Sequence, residues 1–165
     1  MEDGIQTLVF YILSGLIVGS GFMVVSLKNI FHSALFLVLC LFSVAGIYIL
    51  LSAEFVAAVQ VLVYVGAITV LLIFAIMLTA QLYSPSLRQS NEQVIPGIII
   101  VGVLLVVTLL ALSRTSWRIS TQGIEGESTV SIGKALLTTY VLPFEVVSLV
   151  LIAALIGAVI IARKE

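Results

Sequence analysis

Residues 55–78 read FVAAVQVLVYVGAITVLLIFAIML, an apolar run broken only by Gln60, Tyr64 and Thr69, with Gly66 its lone glycine. About 20 mainly apolar residues suffice for a helix to cross the hydrocarbon core of a bilayer, and this run is long enough. A strand reading fails on two counts. A lone strand leaves its backbone donors and acceptors without partners in hydrocarbon, and the run lacks the alternation of a barrel strand. Four further stretches meet the same length criterion, at about 5–25, 30–51, 94–112 and 141–162. The expected fold class is therefore an all-α integral membrane protein, with five transmembrane helices in one transmembrane domain spanning 1–165.

Composition points the same way. Of 165 residues, 62% are hydrophobic and 9% charged, and the mean hydropathy is +1.34. A soluble domain carries roughly 25% charged residues, so this chain could not cover a surface facing water. The formal net charge of −1 provides no basic face for nucleic acid and no polybasic patch for anionic lipid. With Cys40 as the sole cysteine and His32 the sole histidine, neither a four-thiolate iron–sulfur site nor a multi-histidine metal site can be built from this chain alone. No redox cofactor or metal of its own is expected. The start of the chain carries Glu2 and Asp3, and no basic residue precedes Lys28. This is unlike a cleavable signal, so Ile5 onward is expected to be mature membrane helix.

The connections between the helices differ in kind. Lys28-Asn29 and Ser52-Ala53-Glu54 are so short that the first three helices must be antiparallel neighbours. Residues 84–93 (SPSLRQSNEQ) read as a polar turn begun by Pro85. The longest connection, 113–140, reads as an extramembrane loop. It holds Arg114, Arg118, Glu125, Glu127 and Lys134, turn-favouring Gly123 and Gly126, and Trp117, which suits the interfacial aromatic belt. Placing the N-terminus outside and the C-terminus inside puts Lys28, Arg88, Arg163 and Lys164 inside, and Arg114, Arg118 and Lys134 outside. Short loops weigh most in the positive-inside rule, which favours that orientation.

At 3.6 residues per turn, Ala53, Ala57, Gln60, Tyr64, Ala67 and Leu71 share one stripe of the third helix. Small residues allow close approach of helices in a membrane, and polar ones avoid lipid. The stripe is therefore expected to look inward, either as a packing face with two satisfied hydrogen bonds or as one wall of a gated water path. Gly66 within Tyr64-Val65-Gly66 permits either close packing or a π-bulge, a feature frequent at functional sites. Gly15 and Gly19 form a G-x-x-x-G pair, which reads as close packing. Glu54 opens the third helix, and Glu145 follows Pro143 in what reads as the first turn of the fifth, with Thr138 or Thr139 as a cap. Both acids are either helix-end groups or members of a proton relay. His32, near the end of the second helix, reads as an interfacial anchor. No nucleophile–base pair, phosphate loop or ligand cluster points to catalysis by the chain itself.

The run Ala53-Glu54-Phe55-Val56-Ala57-Ala58-Val59-Gln60-Val61-Leu62-Val63-Tyr64-Val65-Gly66-Ala67-Ile68 resembles the third helix of the J-type subunit of proton-pumping NADH:quinone oxidoreductase. That subunit is the ND-six-type membrane component, whose counterpart in the plastid and cyanobacterial NDH-type complex is the G-type subunit. Tyr140-Val141-Leu142-Pro143-Phe144-Glu145 is a second similarity, and NIFHSAL at 29–35 a looser third, with Ile30 where many relatives have proline. The resemblance covers nearly the whole chain.

It implies a five-helix subunit of the membrane arm, near the quinone-reducing end, that binds no redox centre. Its partners would be the K, A, H and N type homologues and the lipid bilayer, with no nucleic acid. Quinone and NADH or ferredoxin would be used by the whole complex. The resemblance also implies a third helix that opens or closes a water wire by rotating at a π-bulge. In that scheme Tyr64 is the polar gate, Gly66 the flexible point, and Val65 and Ala67 the neighbours that move with it. Gln60, Glu54 and Glu145 are further proton-path candidates. The motifs lean toward the cyanobacterial and plastid branch, where ferredoxin and plastoquinone serve. The membrane implied is thus a bacterial plasma membrane or a thylakoid. Two other functions fit the composition: a small homo-oligomeric transporter or channel, and a purely structural assembly subunit.

Overall fold

Five apolar helices, each long enough to cross a bilayer, organise the computed structural model, which describes residues 2–79, 94–116 and 128–163. They are α1 (Glu2–Ser26), α2 (Ile30–Leu50), a third span over Glu54–Thr79, α5 (Val94–Arg114) and α7 (Val141–Ala162). The third span has three parts: α3 (Glu54–Val59), a π-helical segment (Gln60–Ile68) and α4 (Thr69–Thr79). No strand occurs among the described residues. The expected turn at 84–93, together with Arg88, Trp117, Arg118, Gly123, Glu125, Gly126, Glu127 and Lys164, lies outside them.

The connection at 113–140 departs from the loop expected there, because it contains a further helix, α6 (Ser128–Leu137). A ten-residue helix is too short and too polar to register as a span. Its half-buried residues, Ile132, Gly133, Ala135 and Leu136, follow helical spacing along one face. Within the chain, α6 packs against α3 and α7.

Contacts group into two compact units, Met1–Leu78 with Ile124–Glu165, and Thr79–Gly123. In the first unit α2 lies between α1 and the third span and touches both. This is the neighbour relationship that the two short connections require. Asn29 starts α2, and its side-chain oxygen accepts from the N–H groups of Phe31 (3.0 Å) and His32 (3.4 Å). Two otherwise unsatisfied donors are met this way, so Ile30 serves as the first helical residue without a proline. His32 is exposed near this end, its ring edge-on to Phe31 at 6.2 Å between centroids.

The α2–α3 turn is a Schellman motif. Ala53 N–H donates to the Tyr48 carbonyl (2.9 Å) and Ser52 N–H to that of Ile49 (3.0 Å). Ser52 holds the left-handed position at φ 57, the one non-glycine residue among those described with positive φ. Glycine usually fills this place because a Cβ there meets the following carbonyl.

Among the described residues, those buried are small or polar: Ala34, Ala45 and Ala57, with Ser20, Ser43, Gln60 and Thr69. The buried hydroxyls turn back onto their own helices, Ser20 onto the Leu16 and Ile17 carbonyls and Ser43 onto that of Leu39 at 2.8 Å. Between α1 and α2, the Cys40 thiol reaches the Ile17 carbonyl at 3.7 Å. The close approach of these helices is at Gly46, where a Cβ would stand 3.0 Å from Leu13 Cδ1. The Gly15/Gly19 pair, expected to pack closely, has open space before both glycines. Within the first unit, none of the most apolar window of α7 is buried. Surfaces so apolar require lipid or other membrane helices to cover them.

Two substitutions test this account of the first unit. Ser52→Gly is expected to stabilise the chain by about 1 kcal/mol by relieving the left-handed backbone. Gly46→Ile is expected to cost about 1–3 kcal/mol by forcing α1 away from α2. Unfolding titrations in mixed micelles measure both.

Candidate functional site

The π-helical segment lies in the middle of the third span and is bounded by two buried polar side chains. At its start, Gln60 is 8% exposed, and its Nε2 donates to the Leu41 carbonyl of α2 at 3.3 Å. An amide left unpaired in hydrocarbon would cost several kcal/mol, so this bond ties the span to α2 at that level. At the far end, Thr69 is 1% exposed. Its hydroxyl donates to the Tyr64 carbonyl, five residues back, at 2.5 Å. Its backbone N–H is divided between that same carbonyl and that of Gly66.

Burial along the span records the wide turn. Up to Gln60 the inward residues follow α-helical steps, with Ala53 half-buried and Ala57 and Gln60 buried. The next are Val65, half-buried, then Thr69, Ile73 and Ile76. The step from Gln60 to Val65 is five residues, where an α-helix would take three or four. One extra residue has been taken up. The stripe expected from the sequence is therefore right as far as Gln60 and out of phase beyond it, with Val65, Thr69 and Ile73 inward in place of Tyr64, Ala67 and Leu71. Tyr64 is 47% exposed, Leu71 is 70% exposed, and Ala67 is exposed as well. A sequence reading that assumes 3.6 residues per turn throughout cannot anticipate this.

Gly66 is placed by the wide turn and not by a neighbouring helix. A Cβ on it would meet one group, the Val61 carbonyl oxygen, at 3.3 Å. This is closer than Cβ atoms ordinarily approach, and the obstacle is backbone held in the same segment. Of the two readings open for this glycine, the structure has the π-turn.

The acids lie apart from the segment along the chain. Glu54 is exposed in the first turn of α3, where free N–H groups favour a carboxylate. Ala53 at the cap makes no side-chain bond. Glu145 differs from expectation. It falls beyond the first turn of α7, is exposed, and has its carbonyl accepting from the Ser148 hydroxyl at 2.7 Å. The threonine cap expected upstream is not formed. Thr138 turns back to the Lys134 carbonyl of α6 at 2.7 Å, and Tyr140 takes the cap position without a side-chain bond. Among the described residues, no group of three His, Cys, Asp or Glu could hold a metal ion. Thr69 was not singled out as a site residue by sequence reasoning. The available signal was its place as the third polar interruption of the run, five residues after Tyr64.

A family model described as NADH-ubiquinone/plastoquinone oxidoreductase chain 6 matches residues 20–161. The chain belongs to that family. Among its relatives is NAD(P)H-quinone oxidoreductase chain 6 of Synechocystis sp., 41% identical over 168 residues, covering all of this chain and 84% of the relative. The chloroplastic NAD(P)H-quinone oxidoreductase subunit 6 of Nephroselmis olivacea is 45% identical, over 86% of this chain and 83% of its own. F(420)H(2) dehydrogenase subunit J of Methanosarcina mazei is 39% identical, over 98% of this chain and 93% of its own.

Gln60→Leu removes a side-chain donor that joins the third span to α2. It is expected to cost about 1 kcal/mol of stability. A double-mutant cycle cannot reach a backbone acceptor, so the check compares Gln60→Leu with Gln60→Asn, which keeps the amide on a shorter stem, by unfolding titration in mixed micelles.

Proposed function

We propose that this chain serves a proton-translocating quinone oxidoreductase as a membrane-arm subunit without a redox centre of its own, coupling quinone reduction to proton movement through its third span. The π-helical segment Gln60–Ile68 carries this reading. A span that only filled space would gain nothing from a wide turn in its middle, where the hydrogen bonds are poorer than in an α-helix. Family membership supplies the setting: relatives carry names of NAD(P)H-quinone oxidoreductase subunits, and one that of an F(420)H(2) dehydrogenase.

Converting the segment to α-helix would expel one residue from the turn and rotate the residues beyond it by about 100°. With Gln60 held by Leu41, the inward positions would then pass back by one, from Val65 and Thr69 to Tyr64 and Ile68. Tyr64 would exchange an outward place for one on the face that carries Gln60. In this reading Tyr64 is the gate that completes or breaks a chain of water, Gly66 is the flexible point, and Val65 and Ala67 move with it. Glu54 is a weaker proton-path candidate at one end of the span. Glu145, an exposed carboxylate on a helix that this chain leaves uncovered, addresses whatever partner covers α7.

The partners of this reading are the K, A, H and N type subunits. The electron donor is NAD(P)H or ferredoxin, the membrane a bacterial plasma membrane or thylakoid, and the N-terminus lies outside. A donor set by other chains suits a subunit whose relatives carry names with different donors. The uncovered face of α7 also favours a role in holding neighbouring subunits, alongside the gate.

Tyr64→Phe in the intact complex is expected to lower protons moved per electron severalfold, the effect of one lost hydrogen bond, with assembly on native gels unchanged. Proton uptake measured with quinone-linked turnover tests this, and unchanged values for both would remove Tyr64 from the path. Gly66→Ala sets a methyl group against the Val61 carbonyl in the π-turn, while alanine is favoured by about 1 kcal/mol over glycine in an α-helix. It is expected to assemble normally and to turn over more slowly.

A further inference from the structure

We infer that Thr69 is the latch of the π-helical segment: its hydroxyl bond to the Tyr64 carbonyl holds the segment in the wide register, and Gln60 is the fixed end about which the register changes. The inference deepens the gate reading above and rests on it for its functional consequence, although the latch itself is a property of this chain.

The two ends are tied differently. Gln60 donates to Leu41, nineteen residues away on α2, so a change of register downstream leaves that bond intact. Thr69 is tied within its own helix, to a carbonyl whose partner depends on the register. In the wide turn the Tyr64 carbonyl receives the Thr69 N–H only in part, because that N–H is shared with the Gly66 carbonyl. The hydroxyl supplies the rest of its hydrogen bonding. An acceptor left half-served in hydrocarbon is costly. In an α-helix the same carbonyl would take the Ile68 N–H, Thr69 would donate its N–H to Val65, and the hydroxyl would add only a second bond to a satisfied acceptor. Loss of the hydroxyl therefore penalises the π register more than the α register. Burial agrees, since at 1% exposed Thr69 is the most enclosed of the buried residues. Thr69 is thus a positioning residue, acting through the backbone of Tyr64.

The test is imaging of the intact complex, with particles sorted by the register of the third span, for wild type, Thr69→Val and Thr69→Ser. Valine keeps the shape and removes the donor, whereas serine keeps the donor. Each is also imaged with Gly66→Ala, so that a wild type found wholly in one register still reports a change. Thr69→Val is expected to lower the ratio of π to α register about threefold to tenfold, the range of one net hydrogen bond. Thr69→Ser is expected to restore it. Equal ratios for valine and wild type in both backgrounds, or serine behaving as valine, overturn the latch. Should Thr69→Val fail to assemble, Thr69→Cys, a weaker donor, is expected to give a smaller shift in the same direction, and no shift overturns the latch equally. Proton-to-electron ratios of the same samples separate the two ideas: a shifted register with unchanged pumping keeps the latch and refutes the gate.

Discussion

Inside hydrocarbon no water is at hand to finish a hydrogen bond that the backbone leaves open, and most of this chain's architecture follows from that. It favours helices over every other way of crossing. It also explains why the buried hydroxyls of Ser20 and Ser43 fold back onto carbonyls of their own helices. The constraint bears hardest on the π-helical segment, the one place among the described residues where α-helical backbone pairing is relaxed within a span. There the surrounding residues are not interchangeable. Gln60 finds a carbonyl on α2, Thr69 finds the Tyr64 carbonyl, and Gly66 leaves room beside the Val61 carbonyl.

The same physics shapes the packing. Burying leucine against leucine has little advantage when the alternative is lipid, so helices associate through small side chains and close backbone contact. The alanines at the centre of the first unit and the approach of Leu13 to Gly46 are of this kind. The large apolar side chains point outward along α7. A subunit built this way keeps its order through the α1–α2–third span contacts and offers the rest of its surface to lipid and partners.

Hydropathy and length were enough to place all five spans, because both report directly on the cost of polar groups in a bilayer. The family, too, was legible, from the run through Gln60 to Ile68 and the segment around Pro143. What escaped were features decided by geometry over a few residues. α6 is too short to announce itself by hydropathy and becomes visible through its contacts with α3 and α7. Glu145 lies beyond the first turn because α7 starts at Val141, which makes it the fifth residue of the helix. The stripe of the third span was legible through Ala57 and Gln60 and then lost phase, since period counting assumes a uniform turn and the segment takes up one residue more. Thr69 escaped for the same reason: under the uniform count it falls off the stripe, and only the wide turn carries it inward.

That extra residue has a plain arithmetic meaning. Were one position between Gln60 and Thr69 missing, the inward steps would become ordinary α-helical ones, and Gln60 and Thr69 would still lie on one continuous face. Packing at the two ends is therefore satisfied by a shorter chain. The span carries a surplus position of the sort proteins usually store in surface loops, kept here in the middle of a membrane crossing, where surrounding backbone has to be re-paired each time it shifts.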